Sequence, residues 1–254
     1  MNSIKPGRFL ILILLLNLIT QISSGQAALL VLILGDRVAT ENFYLSIDGG
    51  INLASFPGID GSKLGAGVDF GLGTHIKLGE KWYLKPEFKP LAHKKANSVD
   101  PISAIPPDLS VDKTRLTLNY IDVPVFLQYY ISPKVFISAG PQVSFLTSVS
   151  QISTGKLEDG RESTIKIETQ SLFNTVNFSF PVEMGFTYKL VNKKSLSTRD
   201  IQIFLRYEYD FLEIFKDPET GSTLLSMFQL GLSLPFIKSP EELAKSKKAK
   251  SENK

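Results

Sequence analysis

The chain has 254 residues, 28 of them Lys or Arg against 25 Asp or Glu, for a formal net charge of +3. So balanced a charge gives no broad electrostatic reason to expect nucleic acid as a partner. The lack of cysteine excludes disulfides, thiolate metal sites, a cysteine nucleophile and a lipid anchor on an N-terminal cysteine.

The chain opens with Lys5 and Arg8, an apolar run from Phe9 to Ile19, and small or polar residues as far as Ala27. This is the layout of a secretory signal peptide, placed at 1–27. A second apolar run, "ALLVLILG" at 28–35, is too short to cross a bilayer, which takes about 20 apolar residues in a helix. It falls in an N-terminal periplasmic segment assigned to 28–42.

From Phe43 onward the hydrophobic period is two. Phe43, Leu45, Ile47, Ile51 and Leu53 alternate with Tyr44, Ser46, Asp48 and Asn52. Leu64, Val68, Phe70, Leu72 and Ile76 alternate with Gly65, Gly67, Asp69, Gly71, Gly73 and His75. Trp82, Leu84, Pro86 and Phe88 oppose Tyr83, Lys85, Glu87 and Lys89, and the same alternation recurs at 120–130, 135–145, 176–189, 201–210 and 226–236. Short turns at 78–81, 132–134 and 191–200 trade places with longer loops at 55–62, 93–113, 150–173 and 212–223. The pattern predicts an all-β chain: an eight-stranded antiparallel up-and-down transmembrane β-barrel over 43–237, followed by a Lys-rich periplasmic tail at 238–254 that is expected to be disordered.

The polar face decides between a soluble barrel and a membrane one. On a solvent exterior, Gly65, Gly67, Gly71 and Gly73 would weaken their strand without return, whereas inside a narrow barrel they make room for side chains from across the lumen. Asp48, Asp69, Lys85, Glu87, Lys89, Asp122, Glu183, Arg206 and Glu208 are then expected to form a lumen charge network, since unpaired burial would cost several kcal/mol each. Phe43, Trp82, Tyr129, Tyr188 and Phe236 share the apolar face and sit at strand ends near short turns or the terminus, as an interfacial girdle does. Phe145 and Phe178 lie ten positions from Val135 and Tyr188, about 23 Å of depth for tilted strands, close to the apolar band of about 25 Å in such barrels. Pro86, Pro124, Pro141, Pro181 and Pro235 each remove a ladder donor, so bulges or strand ends are expected at some of them.

The stretch "YIDVPVFLQYYISPKVFISAGPQVSFL" at 120–146, with its Tyr-x-acid-x-Pro strand, tight turn and Ala-Gly-Pro strand, resembles the central hairpin of the PorT-like outer-membrane β-barrel proteins. The resemblance implies the barrel fold and the outer membrane of a Gram-negative bacterium, and for one named member of the family a link to type IX secretion. In "QLGLSLPF", Gln229, Gly231, Leu234 and Phe236 resemble the signal by which barrel-assembly machinery recognises a last strand.

Nothing in the chain assembles a catalytic, cofactor or metal site: His75 falls near a short turn and His93 in a long loop, and Ser138 or Ser144 would lie at other depths. About eight strands leave an interior that side chains fill, whereas open porins need about 16, so the charges are read as bracing rather than lining a pore. The expected role is structural or surface-binding, with the alternative of a component of a type IX secretion or envelope-assembly complex. Expected partners are outer-membrane lipid, the assembly machinery during biogenesis, and envelope proteins meeting the loops at 93–113 and 150–173.

Overall fold

The computed structural model describes residues 42–191, 198–217 and 223–236, the side chains of 189–191, 198–200 and 236 excepted. The signal peptide, nearly all of the 28–42 segment, most of the turn assigned to 191–200 and the tail at 238–254 lie outside the described residues.

Eleven strands form one antiparallel sheet: β1 (Phe43–Ser55), β2 (Lys63–Lys77), β3 (Trp82–Asn97), β4 (Leu109–Tyr130), β5 (Val135–Ala139), β6 (Gln142–Leu157), β7 (Glu162–Glu168), β8 (Val176–Ser179), β9 (Val182–Val191), β10 (Thr198–Tyr209) and β11 (Ser226–Phe236). The count reduces to eight barrel strands because two of them are interrupted. β5 and β6 are halves of one strand broken at Gly140 and Pro141, and β8 and β9 are halves of the next, broken at Phe180 and Pro181. β4 pairs with both β5 and β6, while β5 pairs with β9 and β6 with β8, so the breaks lie side by side. Proline supplies no ladder donor, and the chain compensates across the gap: the Gly140 N–H donates to the Pro181 carbonyl (3.3 Å) and the Val125 N–H to that of Pro141 (2.9 Å). The ring closes between β1 and β11, from Leu45↔Phe236 to Ser55↔Ser226.

Alternation sets which face meets which medium. Ile51, Leu53, Val125, Leu127, Met184, Leu205, Leu230 and Leu232 are exposed on the outer wall, whereas Ser46, Asp48, Lys85, Glu87, Gln128 and Arg206 are buried inside. A continuous apolar exterior around a polar interior is stable in hydrocarbon, where a closed sheet also satisfies every backbone group. Among the described residues no helix is long and apolar enough to cross a membrane.

The sheet extends well past the membrane at its long-loop end, taken as extracellular from the loop lengths. β4 has 22 residues and β3 and β6 have 16 each, against the roughly 9–11 needed to span. Two of the expected loops are in large part strand. The loop expected at 93–113 is confined to 98–108, because β3 continues to Asn97 and β4 begins at Leu109; His93 is therefore a strand residue, paired with Asn119. The loop expected at 150–173 is mostly a hairpin of β6 and β7, in register from Ser150↔Glu168 to Lys156↔Glu162.

Candidate functional site

The lumen is layered. At the periplasmic end the Tyr44 ring stacks on His75 (4.3 Å between centroids, 12° between planes), whose Nε2 lies 3.1 Å from Ser46 Oγ. Tyr83 meets Tyr44 and Tyr130 edge-on, Tyr130 packs on Phe136, and the Gln202 amide donates to the Tyr130 hydroxyl at 2.9 Å. These rings make an aromatic floor. No serine at the depth of His75 other than Ser46 is joined to it by a hydrogen bond among the described residues.

Above the floor, Arg206 holds two carboxylates at once. Its guanidinium donates to both oxygens of Glu87 (2.9 and 3.0 Å) and twice to Glu183 Oε2 (3.1 and 2.8 Å), lying between the rings of Phe126 and Phe204 at 4.5 and 5.0 Å. Delocalised charge and a planar fork suit Arg to this double contact. Lys85 Nζ is 2.7 Å from Glu87, 3.8 Å from Asp48 and 4.0 Å from Glu183. Lys89 bridges Asp69 (3.2 Å) and Glu87 (3.6 Å) and donates to Gln229 at 3.3 Å. Small residues opposite make the room. A Cβ on Gly231 would stand 2.2 Å from the Phe204 ring, one on Gly185 2.1 Å from Phe136, and one on Gly73 2.5 Å from the Asp48 carboxylate.

A third layer joins the expected Asp122 and Glu208 to Lys94, which was not foreseen as a lumen residue. Lys94 Nζ lies 2.6 Å from Glu208 and 3.9 Å from Asp122, over the face of Tyr120 (4.9 Å), and Asn177 donates to the Asp210 carboxylate beside them. Lys94 enters because β3 carries a register shift between Lys89 and Ala92, next to Pro90. The bulge moves the inward positions from 85, 87 and 89 to 92, 94 and 96. Counted over the described residues, seven buried carboxylates in the lumen face four buried cations, so the interior is acidic in balance.

An apolar layer covers the extracellular end, also unforeseen. Each of the four long connections sends side chains into one buried cluster: Phe56 and Ile59, Val99 and Ile102, Leu172 and Phe173, and Ile214, Phe215 and Leu225. They pack on Leu116, Leu118, Leu146, Val149 and Met227 from the strands. Polar contacts fix the loops to one another and to β6. Asn174 donates to the carbonyls of Glu213 (2.8 Å) and Phe215 (2.9 Å), while Gln151 Oε1 accepts from the N–H groups of Ile102 (2.8 Å) and Ser103 (3.0 Å). The Phe173 and Phe215 rings meet at 4.8 Å.

On the outer wall Trp82 and Tyr129 are paired across β3 and β4, with rings 4.6 Å apart, and Phe43 and Tyr188 are exposed at the same end of the barrel. Phe236 ends β11 opposite Leu45. Gln229 and Gly231 face the lumen and Leu234 the exterior. No group of three or more His, Asp or Glu side chains among the described residues is placed to hold a metal ion.

Residues 41–216, more than half of the chain, match the family model described as outer membrane protein beta-barrel domain. No curated protein matches the sequence. Solved structures with a similar chain path include Ail, the attachment invasion locus protein of Yersinia pestis, at 14% identity and a TM-score of 0.38, over 76% of this chain and 99% of that one. Neisserial surface protein A is similar at 14% identity and a TM-score of 0.37, over 76% of this chain and 97% of that one. OprG of Pseudomonas aeruginosa follows at 13% identity and a TM-score of 0.37, over 78% and 98%.

Proposed function

The chain belongs to the outer membrane protein beta-barrel domain family and resides in the Gram-negative outer membrane, and from that premise we propose that it is a closed barrel with a structural or surface-binding role rather than a pore or an enzyme. The observation that carries this reading is the apolar layer to which all four long connections contribute, lying over a lumen braced by Arg206, Lys85, Lys89 and Lys94. An ion crossing the barrel would have to shed water against buried Phe, Leu and Ile side chains, which costs several kcal/mol for any charge. The surface left for recognition is the extracellular sheet of β3, β4, β6 and β7 and the loop at 98–108. Outer-membrane lipid surrounds the wall, and assembly machinery would meet the chain through Gln229, Gly231, Leu234 and Phe236.

Planar-bilayer recording tests the closed state. Reconstituted protein is expected to show no steady conductance, and sustained single-channel openings of the unmodified protein would overturn the reading.

The resemblance of residues 120–146 to the PorT-like hairpin favours a second reading, membership of a type IX secretion or envelope-assembly complex. Purification in mild detergent separates the two: a stable multi-protein envelope complex supports the second, a solitary barrel the first.

A further inference from the structure

The paired breaks at Pro141 and Pro181 leave a mark on the outer wall. Immediately to their periplasmic side lies an elongated groove of about 700 Å³ on the lipid-facing surface. One wall is the cross-strand row Leu127↔Ala139↔Val182↔Tyr207↔Phe228, and the other begins at Tyr129 and Ile137. Ala139 is the small member of its row and forms a low point between larger neighbours. Ser138 and Glu183 border the groove at positions whose side chains turn into the lumen and are buried there. What remains facing outward is aliphatic or aromatic.

The groove has direction. Its middle crosses β4, β5, β9 and β10, three strand spacings or about 14 Å. The Trp82 ring stands at one end, on the first residue of β3 beside the periplasmic turn, and the Phe228 ring at the other, two residues from the extracellular start of β11. Because strands tilt by about 45°, a line crossing them in this sense climbs through the bilayer. At the lower end Lys81 directly precedes Trp82 and Lys134 occupies the β4–β5 turn, both exposed, with Glu80 as the neighbouring acid. A long, narrow, apolar trough with an amphipathic aromatic pair and two ammonium groups at its interfacial end matches a chain of methylenes that terminates in a phosphate.

We propose that this groove holds one acyl chain of a periplasmic-leaflet phospholipid, with the chain rising past Ala139 toward Phe228 and the phosphate at Lys81 and Lys134. The proposal is independent of whether the lumen conducts.

The probe is phosphatidylglycerol carrying a photoactivatable diazirine, mixed into phosphatidylcholine vesicles holding the full chain, with labelled residues mapped by mass spectrometry. A diazirine at the chain terminus is expected to label 180–184 and Phe228 several-fold above the lipid-facing residues of β1 and β2, and one near the carbonyl to label Trp82 and Tyr129. Ala139→Phe should abolish that excess, while Ala66→Phe on the far wall should leave it intact, both variants being checked for heat-modifiable migration. Lys81→Gln with Lys134→Gln should remove the preference for phosphatidylglycerol over a phosphatidylcholine probe. Even labelling around the barrel, a reversed order of the two probes, or exclusion of both from the groove, as a docked protein segment would cause, overturns the proposal. Should Ala139→Phe fail to fold, the labelling pattern of the unmodified protein decides alone.

Discussion

One strand passes through two opposite environments. In the lower half of β4, Ile121, Val123, Val125 and Leu127 face out while Asp122, Phe126 and Gln128 face in; in the upper half, Lys113, Arg115 and Thr117 face out while Leu116 and Leu118 face in. The alternation is the same, and the polarity it carries is inverted. Inside and outside are therefore no guide to polarity in this molecule, and the medium against the outer face is. Hydrocarbon forces apolar groups outward and leaves polar groups to satisfy one another within, whereas water above the membrane restores the ordinary arrangement of a globular core.

Substitutions can break this contrast at several points. The largest effect is expected from Arg206→Ala, which takes from the buried Glu87 and Glu183 the guanidinium that hydrogen-bonds both and leaves the pair to Lys85 and Lys89; the loss should be about 3–5 kcal/mol, read as the urea midpoint of unfolding in phospholipid vesicles. Leu116→Ala, in the water-side core, should cost about 2–5 kcal/mol of local stability, seen as faster proteolysis of the 98–108 loop while the heat-modifiable barrel persists. Leu205→Arg puts a charge on the lipid side and should cost about 2–4 kcal/mol on the same urea scale. The matching exchange above the membrane, Arg115→Leu, should stay within about 0.5 kcal/mol because that side chain already sits in water. Equal penalties for Leu205→Arg and Arg115→Leu would contradict the inverted polarity.

The same inversion explains what could be read from the chain and what could not. Between Phe43 and Phe236 the contrast between lipid-facing Leu, Ile, Val and Phe and lumen-facing Asp, Gly and Ser marks parity at every strand, which is why eight strands and both faces were legible. Above the membrane the contrast fades. In "HKKAN" at 93–97 two adjacent lysines take opposite faces, and only the bulge after Lys89 determines that Lys94 rather than Lys95 turns inward. In "SVSQISTGKL" at 148–157 small polar residues occupy both sides, so the hairpin of β6 and β7 carries no strong period. The apolar layer was hidden for another reason: Phe56, Val99, Phe173 and Phe215 lie in four separate loops, and nothing local shows that these distant connections converge.

The seam between β1 and β11 has a consequence in time. Eleven register pairs join β1 to β11, so the sheet has a free edge on both sides until Phe236 arrives. Contacts of such sequence separation form slowly, and an open sheet of this composition would expose both its greasy face and its unpaired edges while it waits. Closure of the ring is then the last pairing the sheet can make, and it depends on the first strand finding the last.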